Sequence, residues 1–100
     1  MAYEIRIHEL AAEELEALRV FDERRIVDAI EQQLSHQPAT PTRQRKCLGA
    51  LVPSFEHVLP VWELRVGDYR VFYDVNEESQ EVHVRALRRK EPRQTTEEIT

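Results

Sequence analysis

The chain has 100 residues, of which 41% are hydrophobic and 33% charged, with a formal net charge of −5. This size fits one small soluble domain over residues 1–100, and the composition argues against wholesale disorder and against a transmembrane helix, which needs about 20 apolar residues. One cysteine, Cys47, excludes a disulfide framework, and the histidines show no metal-ligand spacing, so no metal or cofactor is expected. The N-terminal residues lack signal-peptide features, which predicts a cytoplasmic location.

The first forty residues predict a strand followed by two helices. Apolar residues alternate over residues 3–8, which indicates a short strand. Residues 9–19 carry apolar side chains at helical spacing. A second helix is predicted to begin near Asp22, whose carboxylate would cap its first turn, and to end before Pro38. The short connection between the two helices predicts an antiparallel helix hairpin.

Residues 38–60 are irregular and contain several prolines. Since a structureless loop of this length is unusual in a compact domain, we expect local turns or one short helical piece. The apolar residues expected to pack on the core are Leu51, Val52, Phe55, Val58 and Leu59. The alternative for Phe55 and Val58 is an apolar patch that binds a partner.

The most regular pattern lies in residues 61–75. Two β-rich segments, 61–66 and 69–75, flank a Gly-Asp pair, which fits a hairpin with a type II′ turn. In this register Arg65 lies directly opposite Arg70, and like charges in that position need a counter-charge.

The hairpin and a further strand, predicted over residues 81–87, divide their side chains between two faces. The core face would carry Trp62, Leu64, Val71, Tyr73, Val82, Val84 and Ala86. The second face would carry Val61, Glu63, Arg65, Arg70, Phe72, Asp74, His83 and Arg85. Because two helices cover only one face, the second face is predicted to be open.

The predicted fold class is therefore α+β. An N-terminal strand, an antiparallel helix hairpin and a three-stranded antiparallel meander would form a four-stranded sheet with helices on one face. Residues 94–100 are short and polar, and they are expected to form a loose tail.

Charge is distributed unevenly along the chain. Residues 1–40 hold nine acids and four bases, whereas residues 41–100 hold ten of each. Two basic clusters lie in the second part: Arg43, Arg45 and Lys46, then Arg85, Arg88, Arg89, Lys90 and Arg93. They predict a locally basic surface, and the alternative is that both clusters are merely solvated.

The second face is a candidate phosphate site. Three arginines share it: Arg65, Arg70 and Arg85. Guanidinium groups bind phosphate through paired hydrogen bonds, and Phe72 beside them could stack on a base. The alternative is that Glu63 and Asp74 neutralise the arginines in a surface ion-pair network.

The hairpin also resembles the signature of the RelE/ParE superfamily of bacterial toxins. The similar stretch is residues 62–75, and its most specific part is Leu-Arg-x-Gly-Asp-Tyr-Arg-Val at residues 64–71. Lys46-Cys47-Leu48-Gly49 resembles the family's Lys-x-Leu-x-Gly element. The predicted order of elements also agrees over nearly the whole chain.

This resemblance implies a cytoplasmic toxin of a type II toxin–antitoxin pair, held inactive by a cognate antitoxin. RelE-like members cleave mRNA in the ribosomal A site, and ParE-like members inhibit DNA gyrase. The first expectation is a RelE-like, metal-independent mRNA endonuclease that acts on the ribosome. The alternative is a non-enzymatic ParE-like gyrase inhibitor, or a relative that only binds its antitoxin. No membrane partner is expected.

The resemblance also implies roles for particular residues. Arg70 would stabilise the scissile phosphate, with Arg65 as its helper. Glu63 and His83 are candidate bases because of their predicted place on the arginine face, and not because of the resemblance. The alternatives are that Glu63 pairs with Arg65 or Arg70 and that His83 is an exposed strand residue. Contacts to RNA or phosphate are expected from Lys46, Arg85, Arg88, Arg89 and Lys90.

Two departures from the family pattern bear on catalysis. Lysines that the family often places on the first hairpin strand are replaced by Val61 and Glu63. The family often ends with a tyrosine or histidine that acts as acid or base, and residues 95–100 contain neither.

Overall fold

A five-stranded mixed sheet organises the molecule in a computed structural model, which describes residues 2–100. Its strands are β1 (Glu4–Ile7), β2 (Arg45–Cys47), β3 (Trp62–Val66), β4 (Tyr69–Asn76) and β5 (Glu81–Arg89). The helices are α1 (Glu9–Glu16), α2 (Val20–Leu34) and α3 (Thr96–Ile99). Within these residues, no helix is long and apolar enough to cross a membrane.

The strand order is β1-β5-β4-β3-β2, with β1 parallel to β5 and the other pairs antiparallel. The predicted α+β class and the β3–β4–β5 meander are confirmed. The predicted four-stranded sheet is wrong in two respects, since β2 is an additional strand and β1 makes the sheet mixed. Three residues are too few for an alternating pattern, so β2 has no signal in the sequence.

The helices α1 and α2 pack on one face of the sheet and form the main core there. Their buried apolar residues are Ala11, Leu15, Ile26, Ile30 and Leu34. The sheet contributes Trp62, Leu64, Val66, Val71, Tyr73, Val82, Val84 and Leu87. The start predicted for α2 is two residues late, because Arg19 occupies the N-cap and Asp22 lies in the first turn. There the negative charge of Asp22 still suits the positive end of the helix dipole.

The predicted hairpin register is confirmed. Trp62 lies opposite Tyr73, and Arg65 lies opposite Arg70. Gly67 has a φ of +58°, the left-handed conformation that the first position of a type II′ turn requires. The Tyr73 hydroxyl donates to the Pro38 carbonyl oxygen at 2.6 Å, and burial raises the pKa of this phenol above its ordinary value.

We expect Gly67→Ala to lower the free energy of unfolding by about 1–2 kcal/mol, because an L side chain disfavours this φ. A Cβ at residue 67 would also lie 3.1 Å from Nη2 of Arg25. Gly49→Ala is the matched control, since Gly49 has a φ of +61° with nothing within 4 Å of its Cβ position. Urea denaturation should show a loss for both variants, since both glycines have a positive φ, and equal stability of Gly67→Ala to the wild type would contradict the turn geometry.

Because β5 contains a β-bulge, its side chains are divided between the two faces of the sheet differently from the prediction. Phe72 lies opposite Ala86, but Tyr73 lies opposite Val84, so Arg85 is an extra residue on this strand. Alternation is interrupted there, and Ala86 joins the second face instead of the main core.

The second face is covered, and the prediction of an open face is wrong. Its buried cluster consists of Phe55, Val61, Phe72, Ala86 and Ile99, with Leu48 packed against it. Phe55 and Leu48 come from the irregular segment before β3, and Ile99 comes from α3. This second layer buries Phe72 completely.

The predicted loose tail is also corrected, because residues 96–99 form α3. Thr95 and Glu98 form a reciprocal capping box, in which each side chain accepts a hydrogen bond from the other's backbone N–H. Burial of Ile99 in the second cluster anchors this short helix. One apolar residue in a polar segment gives no periodic signal, which is why the sequence does not reveal the helix.

The expected packing of residues 38–60 is confirmed for Phe55 and wrong for three others. Val52, Val58 and Leu59 have relative exposures of 64%, 58% and 51%. A partner-binding patch was the alternative for Phe55 and Val58, and of these two only Val58 is exposed.

Candidate anion-binding site

A cavity of about 520 Å³ lies beside β2, β3 and β4, at the end of the second face. One wall is formed by the segment 41–47, and the rest by side chains of β3, β4, the residue after β5 and α3. Six basic residues line it: Arg43, Arg45, Lys46, Arg65, Arg70 and Lys90. Glu63 is the one acidic residue of the lining. We call this cavity the basic pocket.

Arg70 is held firmly in the basic pocket. Its Nη1 donates to the carbonyl oxygens of Gly67 at 2.8 Å and Tyr69 at 2.9 Å. The side chain is buried, and its Nε lies 3.9 Å from Oε1 of Glu63. The hairpin turn therefore fixes the guanidinium of Arg70 in one orientation.

Glu63 supplies the counter-charge that the Arg65–Arg70 pair needs. The carboxylate is buried, and its Oε2 accepts a hydrogen bond from Oγ1 of Thr96 at 2.9 Å. Its other oxygen faces Arg70. Both oxygens of Glu63 are therefore already engaged in the folded protein.

The rim of the basic pocket carries cations with no carboxylate partner. Among residues 2–100, none of Arg43, Lys46, Arg65 and Lys90 lies within 4 Å of an acidic oxygen. Arg65 and Lys46 are exposed on neighbouring strands. Arg45, in contrast, is buried and donates to the carbonyl oxygens of Gln33 and Thr40, so it fastens β2 to the end of α2.

Five of the predicted site residues therefore meet in the basic pocket: Glu63, Arg65, Arg70, Lys46 and Lys90. Sequence reasoning missed Thr96, whose contact with Glu63 depends on α3. It noted Arg43 and Arg45 only as a basic cluster. The basic cluster of Arg43, Arg45 and Lys46 was the available signal in the sequence. Nothing in the local pattern showed which of these side chains would reach the hairpin.

Arg85 does not join this site, because its guanidinium pairs with Asp74. Its Nε and Nη2 donate to the two carboxylate oxygens of Asp74 at 2.7 and 3.2 Å, and its Nη1 lies 3.2 Å from Glu56. Asp74 therefore pairs with an arginine, as the ion-pair alternative predicts, but the pair is buried and not on the surface. Phe72 is fully buried, so the proposal that it stacks on a base is wrong.

Arg88 and Arg89 also lie outside the basic pocket. Arg88 contacts the Glu14 carboxylate, donates to the carbonyl oxygen of Ile99 at 3.1 Å and lies over the ring of Phe55. Arg89 lies in a separate cavity on the helix side of the hairpin turn. His83, the other candidate base, bonds to His8 at a distance from the basic pocket.

The geometry of the basic pocket suits the binding of an anion. Guanidinium and ammonium groups on three strands, on the segment before β2 and on the residue after β5 converge on one cavity, and Arg70 is oriented in advance. Among the described residues, no histidine or tyrosine lines the cavity, and its one carboxylate is engaged. Residues 2–100 also contain no group of three or more His, Cys, Asp or Glu side chains placed to hold a metal ion.

The fold matches two solved toxin–antitoxin complexes. Similarity to a chain of the RelBE2 complex from Mycobacterium tuberculosis has a TM-score of 0.70 at 22% identity, and covers 90% of this chain and 100% of that one. Similarity to a chain of the archaeal RelE–RelB complex from Pyrococcus horikoshii has a TM-score of 0.69 at 21% identity, and covers 92% of this chain and 99% of that one. A search of curated proteins finds no match.

The chain therefore shares the fold of these two structures. A family model described as the ParE toxin of the type II toxin–antitoxin system parDE matches residues 5–92. The chain belongs to this ParE toxin family, and it is a toxin of a type II toxin–antitoxin system.

Proposed function

We propose that this toxin acts by binding its target and not by cleaving RNA, as a ParE-like inhibitor of DNA gyrase that a cognate antitoxin holds inactive. One observation carries the proposal. The basic pocket gathers six cations around a single carboxylate, and that carboxylate is already bound by Thr96 and faces Arg70.

RNA cleavage through a ribose 2′-hydroxyl needs a proton acceptor and a proton donor within hydrogen-bond reach, and each contributes about 10²–10⁴-fold to the rate. Among the described residues that line the basic pocket, Glu63 is the one carboxylate, and none is a histidine or a tyrosine. What the pocket does offer is positive charge on a rigid hairpin. This favours recognition of an anionic surface over proton transfer.

An antitoxin partner is supported by the two solved relatives, both of which are toxin–antitoxin complexes. Three exposed apolar residues of the segment before β3 offer a surface that such a partner could cover: Val52, Val58 and Leu59. Apolar side chains grouped in one exposed segment are typical of an interaction site.

The second candidate is the RelE-like endonuclease. It is favoured by the fixed guanidinium of Arg70 at the hairpin turn, with Arg65 and Lys90 in the same cavity. In this alternative Glu63 would act as the base after releasing Thr96, and Arg70 would stabilise the scissile phosphate. The two candidates therefore differ in whether the Glu63 carboxylate is needed.

Growth of bacteria that express the toxin without its antitoxin separates the candidates. We expect the wild type and Glu63→Gln to arrest growth equally, because the glutamine oxygen can still accept from Thr96. The combined change Lys46→Gln and Arg65→Gln should weaken target binding about tenfold or more, since a charged hydrogen bond contributes about 1.5–3 kcal/mol. Colony counts after induction measure these effects.

Arg24→Gln is the matched control, because Arg24 is an exposed arginine of α2 that does not line the basic pocket. It should leave growth arrest unchanged. At equal soluble yields, loss of growth arrest in Glu63→Gln would favour the endonuclease. Unaffected growth with the wild type would contradict both candidates.

A further inference from the structure

Two histidines meet at the edge of the sheet that β1 forms. The turn between β1 and α1, which we call the β1–α1 corner, packs on β5 there. His8 occupies the N-cap of α1, and His83 lies on β5 opposite Arg6 of β1. Nε2 of His8 and Nδ1 of His83 are 2.7 Å apart, and both rings are partly buried. At this distance a single hydrogen lies between the two nitrogens, so one of them must accept.

The neighbouring groups assign the hydrogen on each ring. Nη1 of Arg85 lies 3.4 Å from Nδ1 of His8, and arginine can only donate, so Nδ1 accepts and Nε2 of His8 carries the hydrogen. Nδ1 of His83 then accepts from His8. Nε2 of His83 carries its hydrogen toward Oε1 of Glu81 at 3.3 Å. All four ring nitrogens have a suitable partner when both rings are neutral.

Protonation disturbs this chain in two steps. A first proton on Nδ1 of His83 preserves the contact between the rings if Nε2 of His8 accepts it, but the hydrogen of His8 then moves to Nδ1 and ends the hydrogen bond from Arg85. A second proton places two N–H groups head to head across 2.7 Å, beside the cation of Arg85. The pair can therefore hold one proton, and binding of the second breaks the contact.

We propose that His8 and His83 form a proton-sensitive latch, which fastens the β1–α1 corner to β5 when at most one ring is charged and releases it when both are. The backbone N–H of His8 donates to the carbonyl oxygen of Val84 at 3.0 Å and continues the pairing of β1 with β5. β1 is a four-residue edge strand with one neighbour. The corner is also held by the pairing of β1 with β5 and by the burial of Ala11 and Leu15 of α1 in the main core.

Contacts through Arg85 link the histidine pair to the segment that covers the second face. Arg85, which contacts His8, also binds Asp74 and Glu56. Asp74 in turn accepts from the backbone N–H of Val58 at 3.0 Å. A series of contacts therefore links the histidines to the segment before β3.

Charged groups from every neighbouring element face the pair. They are Arg6 and Glu9 near His8, Glu81 and Arg85 on β5, Asp74 on β4, Glu56 before β3, and Glu77 and Glu78 in the turn after β4. Burial, Arg85 and His83 lower the pKa of His8, and the opposing effect of Glu56 and Asp74 is smaller. The hydrogen bond from Arg6 lowers the pKa of Glu81, so Glu81 stays ionised while the histidines titrate.

The sign of the pH effect follows from the lowered pKa of His8. In the unfolded chain His8 takes up a proton near its ordinary pKa of 6.5, but in the folded protein it does so only at lower pH. Between those two values the unfolded state binds more protons. The stability contributed by the latch is therefore complete above about pH 6.5 and is lost as the pH falls through the folded pKa.

A titration of the imidazole nitrogens by ¹H–¹⁵N NMR tests the pair directly in the wild-type protein. At pH 7.5 both rings should carry their hydrogen on Nε2. The second protonation of the pair should occur more than about 1 pH unit below that of the exposed His36. Two independent titrations that coincide with that of His36 would overturn the latch.

His8→Gln, with His36→Gln as control, tests the consequence for the fold. Lowering the pH from 7.5 to 5.5 should raise the unfolding equilibrium constant of the wild type and of His36→Gln about five- to tenfold more than that of His8→Gln. No cap is removed, because the His8 side chain makes no capping hydrogen bond. In wild-type hydrogen exchange, protection of the His8 amide should fall over this range while protection of Tyr73 persists. Equal pH dependence in all three proteins, or unchanged protection at His8, would overturn the proposal.

Discussion

Asp74→Ala is expected to lower the free energy of unfolding by about 3–5 kcal/mol, because it leaves a buried cation without its main partner. Asp74 is only 3% exposed, and its carboxylate accepts two hydrogen bonds from Arg85 and one from Val58. Arg85 is itself buried, with the exposed Glu56 as its one other acidic partner. Urea denaturation at pH 7.5 measures the loss.

Two controls make this result specific to the buried pair. Glu91→Ala removes an exposed partner 3.7 Å from Arg89, and it should cost less than about 0.5 kcal/mol. The double change Asp74→Ala and Arg85→Met should recover much of the lost stability, since a buried ion pair is often replaced by apolar residues at little cost. Equal losses for Asp74→Ala and Glu91→Ala would contradict the assignment.

Phe72→Ala is expected to lower the free energy of unfolding by about 3–5 kcal/mol, the range for truncating a fully buried phenylalanine. Its side chain is 0% exposed, and the ring centroid lies 5.6 Å from that of Phe55. The control is Phe21→Ala, since Phe21 is 75% exposed at the start of α2 and should change stability by less than about 0.5 kcal/mol. A small effect of Phe72→Ala would mean that the second face is open after all.

The sequence predicted the parts of the fold that depend on local patterns. The register of β3 and β4 follows from a two-residue turn with glycine first, so the opposition of Arg65 and Arg70 could be predicted before the structure was known. The two helices on the main core follow from apolar spacing in the same way. The position of Glu63 beside Arg70 is a further consequence of the hairpin register.

The missed parts depend on contacts between distant segments. Ile99 and Phe55 cover Phe72 across the second face, and neither stands in a periodic run. The bulge at Arg85 reverses the alternation of β5 and places Ala86 on the second face, and Arg85 pairs with Asp74 instead of joining the predicted phosphate site. Thr96 reaches Glu63 only because α3 folds back on the sheet. Such pairings have no signature in a single sequence.

The proposed mode of action is tested most directly with the purified toxin in two parallel assays. One measures ATP-dependent supercoiling of plasmid DNA by gyrase, and the other measures the integrity of an mRNA during translation by ribosomes. We predict that the toxin inhibits supercoiling and leaves the mRNA intact, and that Glu63→Gln does the same. Cleavage of the mRNA on ribosomes by the wild type, with unaffected supercoiling and no cleavage by Glu63→Gln, would contradict a toxin that acts by binding alone.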